Sequence, residues 1–248
     1  MRRKLEQQQG LLDEPAELEE SDFLESIART IFRKGGGLLG ELLNPKETGS
    51  DQGYIDDQGR LVVTDPLIRE SNFRHWFGDS KVVDEEGNPL VVYHGSGNGK
   101  IESFLPKNRD GSPDIDAPVL KSFRKAQKEG KPFGYMDFRS GSFFSPDPEY
   151  ARNYTNEDRG VIYPVYIKAK NPIYISQKKG GKPYYMPDKT RPPDAVILTD
   201  GDKIGDTINE VIVIEPNQIK SIHNRGTYNP DDPDLLGMNT MNMSLLYG

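Results

Sequence analysis

One stretch constrains the fold more than any other: residues 89–96, which read Pro-Leu-Val-Val-Tyr-His-Gly-Ser. Apolar and β-branched residues fill it until a histidine, a glycine and a hydroxyl residue arrive together. Such a run is typical of a buried strand. We therefore expect a strand whose polar end, at His94, opens into a functional site, although a histidine in this position can also be an ordinary satisfied polar residue.

Other short apolar runs follow the same pattern. Strands are predicted within 54–63, as a hairpin, and at 82–84, 141–145, 161–166, 173–175, 195–198 and 210–214. Helices are predicted at 70–81, at 119–129 and from the Asp-Pro pair at 147–148, which can cap a first turn. Since short strands outnumber helices and several are adjacent, the sequence indicates either an α+β fold or a mainly β fold with small helices, in both cases without parallel crossover units.

Composition excludes several classes of protein. A net charge of -7 disfavours a protein that binds nucleic-acid backbones. The absence of cysteine and the wide separation of the three histidines argue against a metal site. No apolar run approaches the ~20 residues that span a bilayer, and no export signal is seen. We expect a soluble, cytoplasmic protein that makes no membrane contact.

The 25 glycines and 19 prolines imply that the core occupies only part of the chain. Residues 1–50 are predicted to hold a disordered segment, an amphipathic helix at 22–34 and a Gly-rich linker. That helix docks either on its own domain or on a protein partner. Residues 51–236 are predicted to form the main domain and residues 237–248 a flexible tail, with the Asp-Pro repeats from Asn229 onwards already expected to be unpacked.

Four groups of residues together carry a resemblance to a known family. They are Phe-Arg-His-Trp-Phe-Gly-Asp-Ser at 73–80, Val-Tyr-His-Gly-Ser at 92–96, Gly-Ser-Phe-Phe-Ser at 141–145 with Ala-Arg-Asn-Tyr at 151–154, and residues 209–221 with 224–230. In this order they resemble the ADP-ribosyltransferase fold, in the histidine-tyrosine-glutamate branch of diphtheria-type toxins and poly(ADP-ribose) polymerases. Within it, the chain is similar to the transferase domains of polyvalent proteins from phages and mobile elements. The resemblance implies a split β-sandwich of short, mostly antiparallel strands with small flanking helices.

The resemblance also implies residue roles in binding NAD as the substrate. His94 matches the histidine that hydrogen-bonds a ribose hydroxyl, and Gly95 matches the glycine that presents its backbone to the nicotinamide carboxamide. Tyr154 matches the helical tyrosine that stacks on nicotinamide, and Phe143 an aromatic residue that closes the pocket. Glu210 matches the catalytic glutamate that opens the last strand. No metal is implied.

These roles are chemically reasonable. Cleavage of the bond between nicotinamide and ribose develops positive charge on the sugar, which a carboxylate such as Glu210 would stabilise. An aromatic face such as that of Tyr154 would hold the cationic nicotinamide by stacking and by cation–π attraction of ~0.5–2 kcal/mol.

Two positions depart from the patterns of relatives. A serine often stands three residues before the stacking tyrosine, where this chain has Ala151; Ser96 is then a candidate substitute for contact with nicotinamide. Arginine-modifying transferases carry a glutamate two residues before the catalytic one, where this chain has Ile208. Modification of arginine is therefore disfavoured.

Three functions stay open from the sequence. The first is an ADP-ribosyltransferase that moves ADP-ribose to an unknown macromolecule, such as a host protein, after packaging in a virion and delivery to the host cytoplasm. The second is an NAD glycohydrolase with water as the acceptor. The third is a non-catalytic structural or virion module that keeps the fold.

Overall fold

The computed structural model describes one unit of the chain, within Gly49–Gly248. The described ranges are 53–57, 60–97, 99–106, 114, 116–131, 138–156, 160–178, 180–185 and 192–237. The predictions for residues 1–50, including the helix at 22–34, and for a tail beyond residue 237 lie outside them. No helix within these ranges combines the length and the apolar character needed to cross a membrane.

Ten strands and three α-helices make up the regular structure of the described residues. The strands are β1 Gly53–Ile55, β2 Leu61–Val63, β3 Val92–Ser96, β4 Ser142–Phe144, β5 Val161–Ile167, β6 Ile173–Ser176, β7 Lys182–Tyr185, β8 Ala195–Thr199, β9 Ile208–Val213 and β10 Ile219–Ser221. The helices are α1 Pro66–Phe77, α2 Pro118–Glu129 and α3 Pro148–Arg152, and a 3₁₀ turn covers Pro216–Gln218.

Two sheets form the body of the domain, and β1 and β2 form a separate hairpin. The three-stranded sheet has the order β10-β5-β3 and is antiparallel throughout. The five-stranded sheet has the order β4-β9-β8-β6-β7 and is antiparallel except for the parallel pair β6 and β8. The predicted α+β class with short, mostly antiparallel strands is confirmed, and the parallel pair is its one exception among the described strands.

Side chains from both sheets meet in one hydrophobic core. Its members alternate along their strands, as the period of two requires. They include Val92, Val165 and Ile167 from the three-stranded sheet and Phe144, Ala195, Ile197, Val211 and Val213 from the five-stranded sheet. The two sheets therefore pack face to face as a sandwich.

Two of the helices cover the outer faces of the sandwich. Leu120, Phe123 and Ala126 of α2 pack with a second set of apolar residues from the five-stranded sheet, which includes Val196 and Ile212. On the opposite side, α1 buries Trp76 and Phe77 beside Tyr228, and the ring centroids of Phe73 and Tyr166 of β5 lie 4.9 Å apart.

The predicted helix at 70–81 forms, but α1 begins and ends four residues earlier. The Asp65 carboxylate accepts hydrogen bonds from the backbone N–H groups of Leu67 and Ile68, and Pro66 occupies the first turn. An N-cap followed by proline fixes the start of a helix. His75, on this helix, is exposed.

The strand predicted at 89–96 begins only at Val92. Pro89 takes part in an isolated bridge with Val83, so the strand predicted at 82–84 is reduced to this bridge and a turn before Pro89. Proline has no N–H to donate to a sheet ladder, which limits pairing here. After Val92 the strand pairs with β5 instead.

The prediction of an unpacked chain from Asn229 is wrong for residues 229–237. Leu235 lies in the core between the sheets, and its N–H donates to the Glu102 carbonyl. The buried amino group of Lys220, on β10, donates hydrogen bonds to the carbonyls of Asp232 and Asp234. A buried ammonium needs acceptors, and this segment supplies them.

Candidate functional site

The candidate site lies where the edges of the two sheets meet. Beyond the end of β4, the N–H of Ser145 donates to the Tyr93 carbonyl (3.0 Å), and the N–H of Tyr93 donates to the Ser145 carbonyl (2.7 Å). This bridge joins β3, an edge of the three-stranded sheet, to the β4 edge of the five-stranded sheet. As a result His94, the next residue of β3, lies against Phe143.

The imidazole of His94 is held in one orientation. Its Nδ1 lies 2.8 Å from the Phe143 carbonyl oxygen, and Phe104 packs edge to face on the ring with centroids 4.9 Å apart. A carbonyl can only accept, so Nδ1 carries the proton and Nε2 of the neutral ring is an acceptor. Burial lowers the pKa of His94, against the opposing effect of the Phe143 hydrogen bond, which favours this neutral form.

Gly95 allows α3 to approach the backbone of β3. A Cβ atom built at Gly95 would lie 1.8 Å from the Ala151 carbonyl oxygen and 3.3 Å from the Tyr154 Cβ. Because no larger residue fits in that space, glycine is required here by packing as well as by the role that the family resemblance implies. The close contact sets the position of α3 relative to His94.

Helix α3 and the turn that follows it place two tyrosines beside this strand. The Asp147 carboxylate caps the helix by accepting from the Glu149 N–H (2.9 Å). Tyr150 lies in the helix, whereas Tyr154 lies two residues beyond its end, at Arg152, and not on the helix as the resemblance implied. The short helix ends because the chain turns at Asn153, and the Tyr154 N–H still donates to the Ala151 carbonyl (3.1 Å).

Glu210 is the third residue of β9. The resemblance implied that it would be the first residue of this strand, so that prediction is wrong. The strand extends further because Ile208 pairs with Thr199 across an irregularity in the ladder with β8. Burial raises the pKa of the half-buried Glu210 carboxyl. Within the described ranges, no side chain forms an ion pair with it.

These elements enclose a cleft of about 360 Å³. Its lining consists of Tyr93, His94, Gly95, Phe143, Phe144, Ser145, Tyr150, Ala151, Tyr154 and Glu210. The structure thus brings together all the predicted site residues except Ser96, which lies at the end of β3 and does not line the cleft. The described part of the chain holds no group of three or more acidic or histidine side chains that could bind a metal ion.

Sequence reasoning missed part of this lining. Tyr150 precedes Tyr154 by four residues, the spacing at which side chains on a helix become neighbours, and this pattern could have identified it. Phe104 supports His94 from a loop that no local pattern connects to the site. Its position depends on contacts between residues far apart in the sequence.

Comparison with known proteins points to one family. Residues 84–192 match the family described as ADP-Ribosyltransferase in polyvalent proteins. The match supports an ADP-ribosyltransferase of this type, and the α+β architecture of short, mostly antiparallel strands agrees with such a fold. The matched segment contains His94, Phe143 and Tyr154, and it ends before Glu210. Neither a curated protein nor a solved structure matches the chain.

Proposed function

We propose that the protein is an NAD-dependent ADP-ribosyltransferase that moves ADP-ribose from NAD to a macromolecule and releases nicotinamide. The observation that carries this proposal is the cleft at the junction of the sheets, where the predicted residues meet. An imidazole acceptor, exposed aromatic rings and a half-buried carboxylate all line it. The family match at residues 84–192 supports the same class of reaction.

The aromatic wall suits a planar, cationic ring. Tyr154 is 59% exposed and Phe143 38% exposed, so both can offer surface to a ligand. Nicotinamide carries its positive charge only while it is bonded to ribose, and cation–π attraction therefore favours the intact substrate. Gly95 presents main-chain groups beside this wall, where they could pair with the carboxamide.

His94 would orient the ribose. Its Nδ1–H is engaged by the Phe143 carbonyl, which leaves Nε2 to accept a hydrogen bond from a ribose hydroxyl. This contact exists before the reaction as well as during it. The role of His94 is therefore substrate binding more than acceleration of the chemical step.

Glu210 would act on the bond that breaks. The glycosidic carbon–nitrogen bond breaks, its electron pair leaves with neutral nicotinamide, and positive charge develops on the ribose ring. A partly dehydrated carboxylate stabilises that charge more strongly than one in bulk water. The acceptor then attacks the anomeric carbon and loses a proton, which completes the transfer.

Three finer parts of this proposal concern the acceptor, the delivery of the protein and its partner. Ile208 replaces the glutamate expected of arginine-modifying enzymes, and we therefore propose an acceptor group other than arginine, on a host protein. Delivery by a phage or mobile element into the host cytoplasm is supported by the similarity to transferases of polyvalent proteins. The helix predicted at 22–34 is a candidate tether to a protein partner.

One incubation tests the proposal. Purified protein is mixed with adenine-labelled NAD and host lysate, and nicotinamide release and labelled species are measured. The proposal predicts nicotinamide release together with label on a macromolecule. Label found only in free ADP-ribose would identify an NAD glycohydrolase. Failure of the folded protein to bind or cleave NAD would favour the non-catalytic module.

A further inference from the structure

Two exposed tyrosines form a pair at the rim of the cleft. The hydroxyl groups of Tyr150 and Tyr154 lie 3.0 Å apart, within hydrogen-bond distance. Their ring centroids are 5.6 Å apart, with an interplanar angle of 66°. The two rings therefore touch edge to face and are also joined at their hydroxyl ends.

A contribution to the hydrophobic core does not explain this pair. Tyr150 is 45% exposed and Tyr154 is 59% exposed, whereas the core between the sheets is formed by fully buried residues. Both tyrosines line the cleft. An exposed contact of this kind adds little to stability, but it can restrict the rotation of a side chain that a ligand must meet.

We propose that Tyr150 is a positioning residue, which holds the Tyr154 ring at a fixed angle across the cleft for stacking on nicotinamide. This inference rests on the proposed function. Tyr154 needs such support because it lies beyond the end of α3, where the helix no longer restricts its side chain. Tyr150 is anchored within the helix, directly before the buried Ala151.

The electrostatics agree with a position of Tyr150 near both the stacking ring and the carboxylate. The hydrogen bond with Tyr154 is the main cause of the raised pKa of Tyr150, and the negative charge of Glu210 contributes to it as well. Tyr150 thus lies within electrostatic range of the residue proposed to act on ribose.

Removing a hydroxyl group distinguishes positioning by the hydrogen bond between Tyr150 and Tyr154 from a role of the aromatic rings alone. If only the aromatic ring of Tyr154 mattered, Tyr154→Phe would be silent. If the hydroxyl bond fixes the ring, Tyr150→Phe and Tyr154→Phe should each raise the dissociation constant of nicotinamide by about two- to tenfold, the usual range for one lost hydrogen bond. The double variant should lose no more than either single variant.

The experiment measures binding of free nicotinamide by calorimetry in the full chain, and the Michaelis constant for NAD and the turnover number from nicotinamide release. Tyr150→Phe should raise the Michaelis constant for NAD while leaving the turnover number and the Tm nearly unchanged. Tyr54→Phe is the matched control, because Tyr54 is 51% exposed and lies on β1, outside the cleft. Tyr54→Phe should change neither the dissociation constant of nicotinamide nor the Michaelis constant for NAD.

Three results would overturn the inference. Wild-type affinity in Tyr150→Phe would show that its hydroxyl does not position the ring. Additive losses in the double variant would show that the two hydroxyls act independently. If the wild-type protein bound neither nicotinamide nor NAD, the proposed function would be refuted as well. This result needs no substitution, which distinguishes it from the first two.

Discussion

Gly95→Ala is expected to disturb the site through one added methyl group. The new Cβ would lie 1.8 Å from the Ala151 carbonyl oxygen and 2.8 Å from the Ala151 carbonyl carbon. Real Cβ atoms essentially never come within 3.0 Å of such neighbours, and these neighbours are backbone atoms that cannot rotate away. Helix α3 and strand β3 must therefore separate by more than 1 Å.

The size of the effect follows from two opposing terms. Overpacking costs about 1–3 kcal/mol, while the reduced freedom of the unfolded chain returns about 0.4–1 kcal/mol. Overpacking wins by about 1–2 kcal/mol at the middle of these ranges. At about 2–4 °C per kcal/mol for a domain of this size, the Tm should fall by about 2–8 °C. The shift also carries Tyr150 and Tyr154 away from His94, and a misplacement of about 1 Å can lower turnover by about a hundredfold.

The assay combines thermal unfolding with nicotinamide release at saturating NAD. Gly97→Ala provides a matched control two residues away, because the three atoms nearest to its added Cβ all belong to the side-chain amide of Asn156, the closest at 2.8 Å. That amide can move at the cost of its exposed hydrogen bond to the Gly97 carbonyl, so the control should keep most of its activity. Wild-type Tm and wild-type turnover in Gly95→Ala would refute the claim that contact between these backbones positions the site.

Two further predictions concern His94 and Lys220. His94→Ala should raise the Michaelis constant for NAD about three- to tenfold through the loss of a ground-state hydrogen bond, with little change in turnover; an unchanged constant in steady-state assays would remove His94 from the site. Burial lowers the pKa of Lys220 from 10.5 to about 8. Between pH 8 and pH 10.5 the Lys220 amino group is therefore protonated in the unfolded chain and largely neutral in the folded protein. The free energy of unfolding then increases as the pH rises through this range. In denaturant titrations from pH 8 to 10.5, the unfolding free energy of wild type relative to Lys220→Met should increase by roughly 3 kcal/mol, and a difference that does not vary with pH would contradict this.

Local patterns predicted most of the elements correctly. Runs rich in β-branched and aromatic residues gave β5 and β8, and an aspartate followed by proline gave the start of α3. These features depend on neighbours in the sequence, where periodicity and capping act directly. The order of strands in the sheets and the parallel pair of β6 and β8 depend on distant residues, and no local pattern specified them.

The same distinction explains the errors. The segment after Asn229 looked unpacked because its own composition is polar and rich in Asp-Pro. The segment is held in place by the buried amino group of Lys220, which donates to the Asp234 carbonyl, and by Leu235, which lies in the core. Strand β10 was missed because it is short and directly follows a 3₁₀ turn.

Prediction of the site depended on the family resemblance more than on periodicity. The resemblance selected His94, Gly95, Phe143, Tyr154 and Glu210, and the structure gathers all of them at one cleft. Their roles in binding and catalysis stay predictions. Tyr150 was absent from the prediction because the motif that carried the resemblance begins one residue later, at Ala151.

The central claim is that the Glu210 carboxylate stabilises charge that develops as nicotinamide leaves. Glu210→Gln keeps the shape of the side chain and removes its charge, so turnover should fall by about 10²–10³-fold while NAD affinity changes little.

Glu215 provides the control, since it lies beyond the end of β9 and pairs with Arg124, with an N–O distance of 2.8 Å. The direct measurement is nicotinamide release by folded wild-type, Glu210→Gln and Glu215→Gln proteins at saturating NAD. The account predicts loss of turnover in Glu210→Gln alone. Turnover near the wild-type value in Glu210→Gln would contradict it.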